Sequence, residues 1–294
     1  MSAGFRPSVW IAAARPRTLP AAVAPVLVGS AFASRHGAFR TVDALLCLGF
    51  ALLVQVGTNL ANDYFDFVKG ADTAARVGPR RAVASGEVSP RAMRRVATGV
   101  FAAAFATGLG LVAHGGPWML AVGVASILCG IAYTGGPFPL GYHGFGDIFA
   151  FFFFGPVAVG VTYFVQAGGF PRDVLIGAVP IGLLTANILV MNNYRDAETD
   201  AAAGKRTLVV RFGRNAAVWQ VALSHCAAVA VPFFLWQHGY GLSVLLPIFL
   251  APMASLQVHR LAESRTPAER IRLLGGAARY LALYAVLLSA GILA

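Results

Sequence analysis

Residues 41–70, TVDALLCLGFALLVQVGTNLANDYFDFVKG, decide the fold class. The apolar part, residues 41–62, contains one charged side chain, Asp43, and as a helix it is long enough to cross a hydrocarbon core of roughly 30 Å. A helix this apolar predicts a membrane span. Polar side chains collect at its C-terminal end, which predicts that this end reaches a polar cavity or the membrane surface.

The whole chain has the character of this stretch. Of its 294 residues, 57% are hydrophobic and 12% are charged, and the mean hydropathy is +0.69. These values exclude an ordinary soluble domain. We predict an all-α integral membrane protein with nine transmembrane helices, forming one domain with two related halves at about residues 1–134 and 135–294. The predicted spans are residues 10–34, 41–62, 96–114, 117–134, 148–167, 174–191, 216–237, 242–258 and 275–294.

The basic side chains separate by loop. Of the 23 Lys and Arg residues, all but Arg35, Arg40 and Arg172 fall in the N-terminal segment, in loops after even-numbered spans or at the start of the last span. This asymmetry predicts that the N-terminus and the basic loops face the cytoplasm. The net charge of +11 does not indicate nucleic-acid binding, because the cations are not gathered on one soluble face.

Two polar stripes lie at the predicted cytoplasmic ends of the second and sixth spans. They consist of Gln55, Asn59, Asn62 and Asp66, and of Asn192, Asp196 and Asp200. Neighbours within each stripe are three or four residues apart, so each set shares one helical face. Four spans separate the stripes, which returns the chain to the same side of the membrane. We interpret this arrangement as an internal repeat that presents two sets of acids to a shared cavity.

Facing clusters of carboxylates and amides suit the binding of a diphosphate through divalent metal. Mg²⁺ prefers oxygen ligands, and one or two carboxylates together with substrate phosphates usually hold it. Basic loops follow both clusters and supply cations for phosphate oxygens. Loss of diphosphate from an allylic carbon leaves a resonance-stabilised cation, so no protein nucleophile is required. The sequence therefore favours transfer of an isoprenoid chain from its diphosphate to an electron-rich aromatic acceptor.

Other interpretations stay open on the residues alone. In one interpretation, the acids only cap helix ends and neutralise nearby arginines. A transporter also uses repeats and polar residues at mid-membrane, and Pro180 and Gly182 interrupt the sixth span, although the second span has only Gly57 and no proline. A non-catalytic membrane scaffold is a further option, but it gives no reason for two matched acid clusters.

Residues 62–66 (NDYFD) resemble the first aspartate-rich motif of the UbiA superfamily of membrane prenyltransferases, and residues 196–207 (DAETDAAAGKRT) resemble the second. The resemblance implies a helical bundle around a central cavity with a cytoplasmic cap, in the cytoplasmic membrane of a bacterium. Within the superfamily the chain is most similar to the branch that prenylates 1,4-dihydroxy-2-naphthoate. The stretches that carry this likeness are 15–20 (RPRTLP), 59–72 (NLANDYFDFVKGAD), 78–86 (GPRRAVASG), 133–137 (YTGGP) and 192–196 (NNYRD).

That branch implies an activity and two substrates. A polyprenyl group would pass from polyprenyl diphosphate to 1,4-dihydroxy-2-naphthoate, with release of diphosphate and CO₂, in menaquinone biosynthesis. Prenylation of another aromatic acceptor, such as 4-hydroxybenzoate, is the alternative within the superfamily.

The resemblance also implies roles for individual residues. Two Mg²⁺ ions would be held, one by Asn62, Asp63 and Asp66 and the other by Asp196 and Asp200. The diphosphate or the acceptor would be contacted by Lys69, Arg76, Arg81, Lys205, Asn59, Asn192, Tyr133, Tyr142 and Asp147. A helix N-cap is the alternative role for Asp147. Asp72 is two residues beyond the place of the superfamily's third acid, which Gly70 occupies, so its role as a ligand is left open.

Overall fold

A computed structural model of the chain describes residues 6–72, 78, 79 and 81–294, and in these residues the fold is all-helical. The α-helices are α1 (Pro7–Ala14), α2 (Pro20–Arg35), α3 (Thr41–Val68), α4 (Pro90–Gly115), α5 (Trp118–Ala132), α6 (Gly146–Phe152), α7 (Ala158–Ala167), α8 (Arg172–Ala202), α9 (Leu208–Gln237), α10 (Ala251–Glu263) and α11 (Pro267–Leu293). Short 3₁₀ helices cover Pro16–Thr18, Leu140–His143 and Leu242–Leu250, and a π-helical segment, Phe153–Val157, joins α6 to α7.

The lengths and hydropathy of the helices describe a multi-pass integral membrane protein. Within the described residues seven helical segments are long and apolar enough to cross a membrane, and an eighth is added if α1 and α2, bent by 51°, form one span. α5 is apolar but shorter. Large apolar side chains lie on the outer surface, among them Phe249 and Trp219, 80% and 68% exposed. Lipid, and not water, is the solvent that suits such a surface.

The predicted first span is broken near its start. Proline disfavours helical backbone at the residue before it, and Arg15, which precedes Pro16, adopts a left-handed conformation with φ 54° and ψ 70°. The Thr18 hydroxyl donates to the Arg15 carbonyl at 3.0 Å. The Asn59 side chain on α3 donates in turn to the Thr18 hydroxyl, also at 3.0 Å. These bonds hold the break against α3.

α8 is the central helix of the bundle. In the most apolar 18-residue stretch of α8, 72% of the residues are buried, whereas in that of α4 the figure is 22%. α8 packs on α9, α11, α6 and α2. Pro180 and Gly182 lie inside this helix, every residue of which is described, and do not interrupt it. A Cβ added to Gly155 would lie 2.9 Å from the Cα of Gly182, so the small residues let the π-helical segment pack closely on α8. The broken-helix pattern of a transporter is therefore not found at α8.

Both polar stripes are helical to their ends. α3 continues to Val68, beyond the predicted boundary at residue 62, and α8 continues to Ala202, beyond residue 191. The helical spacing deduced from the sequence therefore applies along each whole stripe, and the acids stand on rigid elements.

Candidate active site

Asp66 is the point at which several distant segments meet. Its carboxylate is 3% exposed and accepts from the Tyr142 hydroxyl at 2.8 Å and from Arg81 Nη2 at 3.3 Å. Tyr142 belongs to the 3₁₀ helix after α5, and Arg81 belongs to the loop after α3. The loops therefore close over the end of α3.

Lys205 joins the two acid clusters. Its ammonium nitrogen lies 3.3 Å from Asp66 Oδ1 and 3.5 Å from Asp200 Oδ1, and 4.7 Å from the centre of the Tyr142 ring. Asp66 stands on α3 and Asp200 on α8, so the structure brings an acid of each stripe to one positive charge.

Asp196, the other acid of the polar stripe on α8, is paired within its own helix. Arg195 donates to it through Nε at 2.7 Å and through Nη2 at 2.6 Å, and both side chains are buried. Such a two-point contact is among the stronger forms of ion pair. The negative charge of Asp196 is thereby largely compensated.

Arg81 spans two carboxylates. Besides its bond to Asp66, its Nε lies 3.6 Å from Asp72 Oδ2, and its Nη1 has no hydrogen-bond partner among the described residues. Asp72 therefore positions this guanidinium, and the nitrogen that is left over can serve an anion. Arg76, predicted as a diphosphate contact, lies outside the described residues.

Lys69 fastens the loop of residues 133–145 to the end of α3. Its ammonium donates to the carbonyls of Thr134 at 2.7 Å and Gly136 at 3.2 Å, and it lies 5.1 Å from the Tyr142 ring centre. Burial raises the pKa of Tyr142, and the negative charge of Asp66 raises it further. Tyr142 is therefore a neutral hydrogen-bond donor at physiological pH.

Asn62 is tied to the same loop. Its side-chain oxygen accepts from the Thr134 hydroxyl at 2.7 Å. The next residue, Asp63, is directed elsewhere: its two oxygens accept the backbone N–H groups of Ala82 at 3.0 Å and Val83 at 3.2 Å. Asp63 thus holds the turn of the loop after α3, and its role as a metal ligand stays a prediction.

Asp147 lies at the start of α6, and the side chain of Tyr133 reaches the same place from the end of α5: a Cβ added to Gly146 would lie 3.1 Å from the Tyr133 hydroxyl. Phe145 is the N-cap residue of α6, so the N-cap interpretation of Asp147 is wrong; Asp147 lies one position inside the first turn, where its charge faces the positive end of the helix. Its carboxylate accepts from Gln220 at 3.4 Å.

The site opens on two adjoining cavities. The smaller, about 80 Å³, is polar and is lined by Asp66, Arg81, Asp196, Asp200 and Lys205, among others. The larger, about 270 Å³, is mostly apolar and lies among α2, α3, α4, α5, α6, α7 and α8. Both are lined by Arg15, Asn62, Tyr133, Leu189 and Asn192. In the part of the chain that is described, no residue of α9, α10 or α11 lines the larger cavity, so the bundle does not surround it evenly.

Comparison with known proteins agrees with this geometry. The sequence pattern of the UbiA prenyltransferase family matches residues 22–288. The chain belongs to the UbiA prenyltransferase family. It is 45% identical over 204 residues to a 1,4-dihydroxy-2-naphthoate octaprenyltransferase of Mycobacterium tuberculosis, covering 69% of this chain and 70% of the relative. It is 35% identical over 269 residues to the protein of that name in Escherichia coli, covering 89% and 87%.

A solved structure shares the UbiA-family fold. A UbiA homologue of Archaeoglobus fulgidus, bound to GPP and Mg²⁺, superposes with a TM-score of 0.62 at 16% identity, covering 96% of this chain and 99% of that one. At this level of identity the likeness concerns the fold.

Several residues of this UbiA-family site were assigned no specific role from the sequence. Thr134 and Arg195 contact predicted site residues directly, and Arg15 lines both cavities. Helical spacing does not single out Thr134 or Arg15: the predicted spans include both residues, whereas the folded chain places each of them between helices. Besides the likeness of residues 133–137 to the family, the loop of residues 133–145 is marked in the sequence by its lack of Lys and Arg, since its neighbours are rich in them.

Proposed function

We propose that the protein transfers a polyprenyl group from polyprenyl diphosphate to 1,4-dihydroxy-2-naphthoate, with release of diphosphate and CO₂, in menaquinone biosynthesis. The observation that carries the proposal is a polar cavity, walled by two carboxylate clusters and several cations, that continues into an apolar cavity. This shape suits a substrate with a charged head and a hydrocarbon tail. The acceptor follows from relatives at 45% and 35% identity that carry the name 1,4-dihydroxy-2-naphthoate octaprenyltransferase.

The residues fit Mg²⁺ bound together with a diphosphate. In the described residues no group of three or more His, Cys, Asp or Glu side chains is arranged to hold a metal alone. Mg²⁺ does not require such a group, since one or two carboxylates and substrate phosphates suffice. The Lys205 ammonium, held between Asp66 and Asp200, marks a place where the chain already accommodates a cation. Asp66 and Asp200 would hold the metal, with Asn62 and Asp196 beside them.

The bound metal would supply positive charge at the departing diphosphate. Lys205 and Arg81 line the polar cavity and would neutralise the remaining oxygens when the allylic C–O bond breaks and its electron pair leaves with the diphosphate. Tyr142 holds Asp66 in place through its neutral hydroxyl. The ring carbon that bears the acceptor carboxylate then attacks the allylic carbon, and CO₂ leaves while its bonding electrons restore the aromatic ring. Charge balances over these reaction steps, because CO₂ leaves where a proton would otherwise be lost, so no protein base is required.

The apolar cavity would take the start of the prenyl chain. Its lining comes mainly from aliphatic and aromatic side chains, including Phe149, Phe153 and Val161. Burial of apolar surface contributes roughly 25 cal/mol per Å². Binding of the tail therefore fixes the allylic carbon at the junction between the cavities, where the head and tail of the substrate meet.

We further propose a nine-crossing topology in a bacterial cytoplasmic membrane, with the N-terminus in the cytoplasm and two related halves. The contact of Lys69 with Thr134 supports a crossing by α5, because it places the end of α5 beside the end of α3. As a helix of 15 residues, α5 is about 22 Å long, so the bilayer would thin locally or the flanking residues would complete the span. The two polar stripes at one end of the bundle support the relation between the halves.

The experiment that tests the proposed function is a competition between acceptors. Purified protein with Mg²⁺ and one polyprenyl diphosphate is given 1,4-dihydroxy-2-naphthoate and 4-hydroxybenzoate together, and the products are identified by mass spectrometry. We expect the prenylated naphthalenediol and its oxidised quinone. Prenylated 4-hydroxybenzoate as the main product would assign the protein to another acceptor, and no prenylated product from either acceptor would contradict the activity.

A further inference from the structure

Arg15 occupies a distinctive place between the two cavities. Among the described residues it is the only Lys or Arg that lines the apolar cavity, and it lines the polar cavity as well. The other cations of the polar cavity, Arg81, Arg195 and Lys205, do not line the apolar one. A single guanidinium thus stands where the charged and apolar parts of the site meet.

The backbone at Arg15 is held in an uncommon conformation. It is the only residue other than glycine with a positive φ in the described part of the chain. A left-handed conformation costs roughly 1–2 kcal/mol for a residue with a Cβ, and glycine or asparagine would adopt it more readily. The bonds among Thr18, Asn59 and the carbonyls of Ala14 and Arg15 fix the break around it. The position of Arg15 at the junction is therefore built into the fold.

The chemistry of the reaction requires a cation at this junction. The allylic carbon is one bond from the diphosphate and one bond from the tail, so it lies where the polar and apolar cavities adjoin. The attacking ring carbon must reach bonding distance of it, and that ring carbon carries the acceptor carboxylate. The carboxylate is therefore also confined to the junction, where the cavity wall is otherwise apolar or uncharged. An unpaired carboxylate in such a place carries a large desolvation cost.

We infer that Arg15 binds the carboxylate of the aromatic acceptor and so selects carboxylated acceptors. The inference rests on the proposed function and adds a specificity-determining residue to it. Guanidinium presents paired N–H donors that match the two oxygens of a carboxylate. The product has lost its carboxylate as CO₂, so the contact holds the acceptor and not the product. Arg15 thereby favours exchange of product for a new acceptor.

The test compares Arg15→Asn with Arg17→Asn. Asparagine tolerates the left-handed backbone, so the first change removes the guanidinium while keeping the break. Arg17 is exposed in the same turn and lines neither cavity, which makes it a matched control for charge. For Arg15→Asn we expect the KM for 1,4-dihydroxy-2-naphthoate to rise about 10- to 100-fold, as for loss of a charged hydrogen bond, with less than about a threefold change in the KM for the prenyl diphosphate. Arg17→Asn should change neither constant.

Equilibrium binding of two analogues, measured by isothermal titration calorimetry, isolates the carboxylate. 1-Hydroxy-2-naphthoate and 1-naphthol differ only in that group. The wild-type protein should bind 1-hydroxy-2-naphthoate at least about tenfold more tightly than 1-naphthol, and Arg15→Asn should bind the two with the same affinity. Arg15→Lys keeps the charge without the paired donors. Its preference for the carboxylated analogue should therefore lie between those of the wild-type protein and Arg15→Asn.

The outcomes separate the inference from the proposed function. If the wild-type protein turns over the acceptor but does not distinguish the two analogues, the inference fails, whether or not any variant folds. A rise in the KM for prenyl diphosphate with an intact preference for the carboxylated analogue would assign Arg15 to the diphosphate instead. If the wild-type protein forms no prenylated naphthalenediol, the proposed function itself fails, while the analogue binding comparison still decides whether Arg15 recognises a carboxylate.

Discussion

Replacing Lys205 by methionine should tighten the binding of a divalent metal in the absence of diphosphate. Lys205 holds its ammonium 3.3 Å from Asp66 and 3.5 Å from Asp200, and its side chain is 13% exposed. A metal that uses these carboxylates must displace the ammonium first. Methionine has a similar length and no charge, so the variant removes the competitor and keeps most of the packing.

The magnitude follows from the contacts that are lost. A hydrogen bond to a charged group contributes about 1.5–3 kcal/mol, and the two distances here are longer than those of the strongest charged pairs. We therefore take the lower end, about 1.5 kcal/mol, which corresponds to roughly tenfold tighter metal binding. With pyrophosphate present, Lys205→Met should instead weaken metal binding, because the ammonium then has phosphate oxygens to neutralise.

The assay is titration of detergent-solubilised protein with Mn²⁺ as a substitute for Mg²⁺, with free Mn²⁺ measured by electron paramagnetic resonance. Lys69→Met is the control, because the Lys69 ammonium bonds to the carbonyls of Thr134 and Gly136 and not to the acids. Unchanged or weaker Mn²⁺ binding in Lys205→Met, or an equal gain in Lys69→Met, would refute the idea that Lys205 competes with the metal.

Two further predictions concern the acids and the topology. Asp66→Asn should lower turnover on the order of 100-fold at saturating Mg²⁺ with little loss of protein, because it removes a charge from the site and leaves the bundle alone. Asp72→Asn should cost less, because the contact of Asp72 with the site runs through Arg81; equal losses in steady-state assays would contradict this. In a protein without its native cysteines, a thiol reagent that cannot cross the membrane should reach Phe39→Cys from the periplasmic side and Ala84→Cys only after the membrane is opened, and the reverse pattern would overturn the orientation.

Helical periodicity explains why part of the site could be predicted. Spacings of three and four residues place Asp66 on one face of α3 and Asp200 on one face of α8, and counting membrane crossings brings both to the same side. The contacts of Lys205 with both acids agree with that reasoning. The prediction of an all-helical membrane protein rests on the same regular features and is confirmed, with seven or eight candidate spans in the described residues.

The parts that could not be predicted depend on contacts between segments far apart in sequence. Asp63 belongs to the same motif as Asp66, yet its carboxylate is satisfied by backbone N–H groups of a loop that only the folded chain brings near. Tyr142 reaches Asp66 because Lys69 and Asn62 fasten its loop to α3. An unbroken span is predicted over residues 10–34, so the break at Arg15 is not foreseen, and no spacing rule shows that Arg15 lines both cavities.

The central claim is tested most directly by the fate of the acceptor carboxyl carbon. Purified protein is given polyprenyl diphosphate, Mg²⁺ and 1,4-dihydroxy-2-naphthoate labelled with ¹⁴C in the carboxyl group, and labelled CO₂ and prenylated product are measured together over time. The proposed reaction predicts one molecule of labelled CO₂ for each molecule of prenylated product, and a product without label. Label retained in the prenylated product, or release of labelled CO₂ at the same rate without polyprenyl diphosphate, would contradict it.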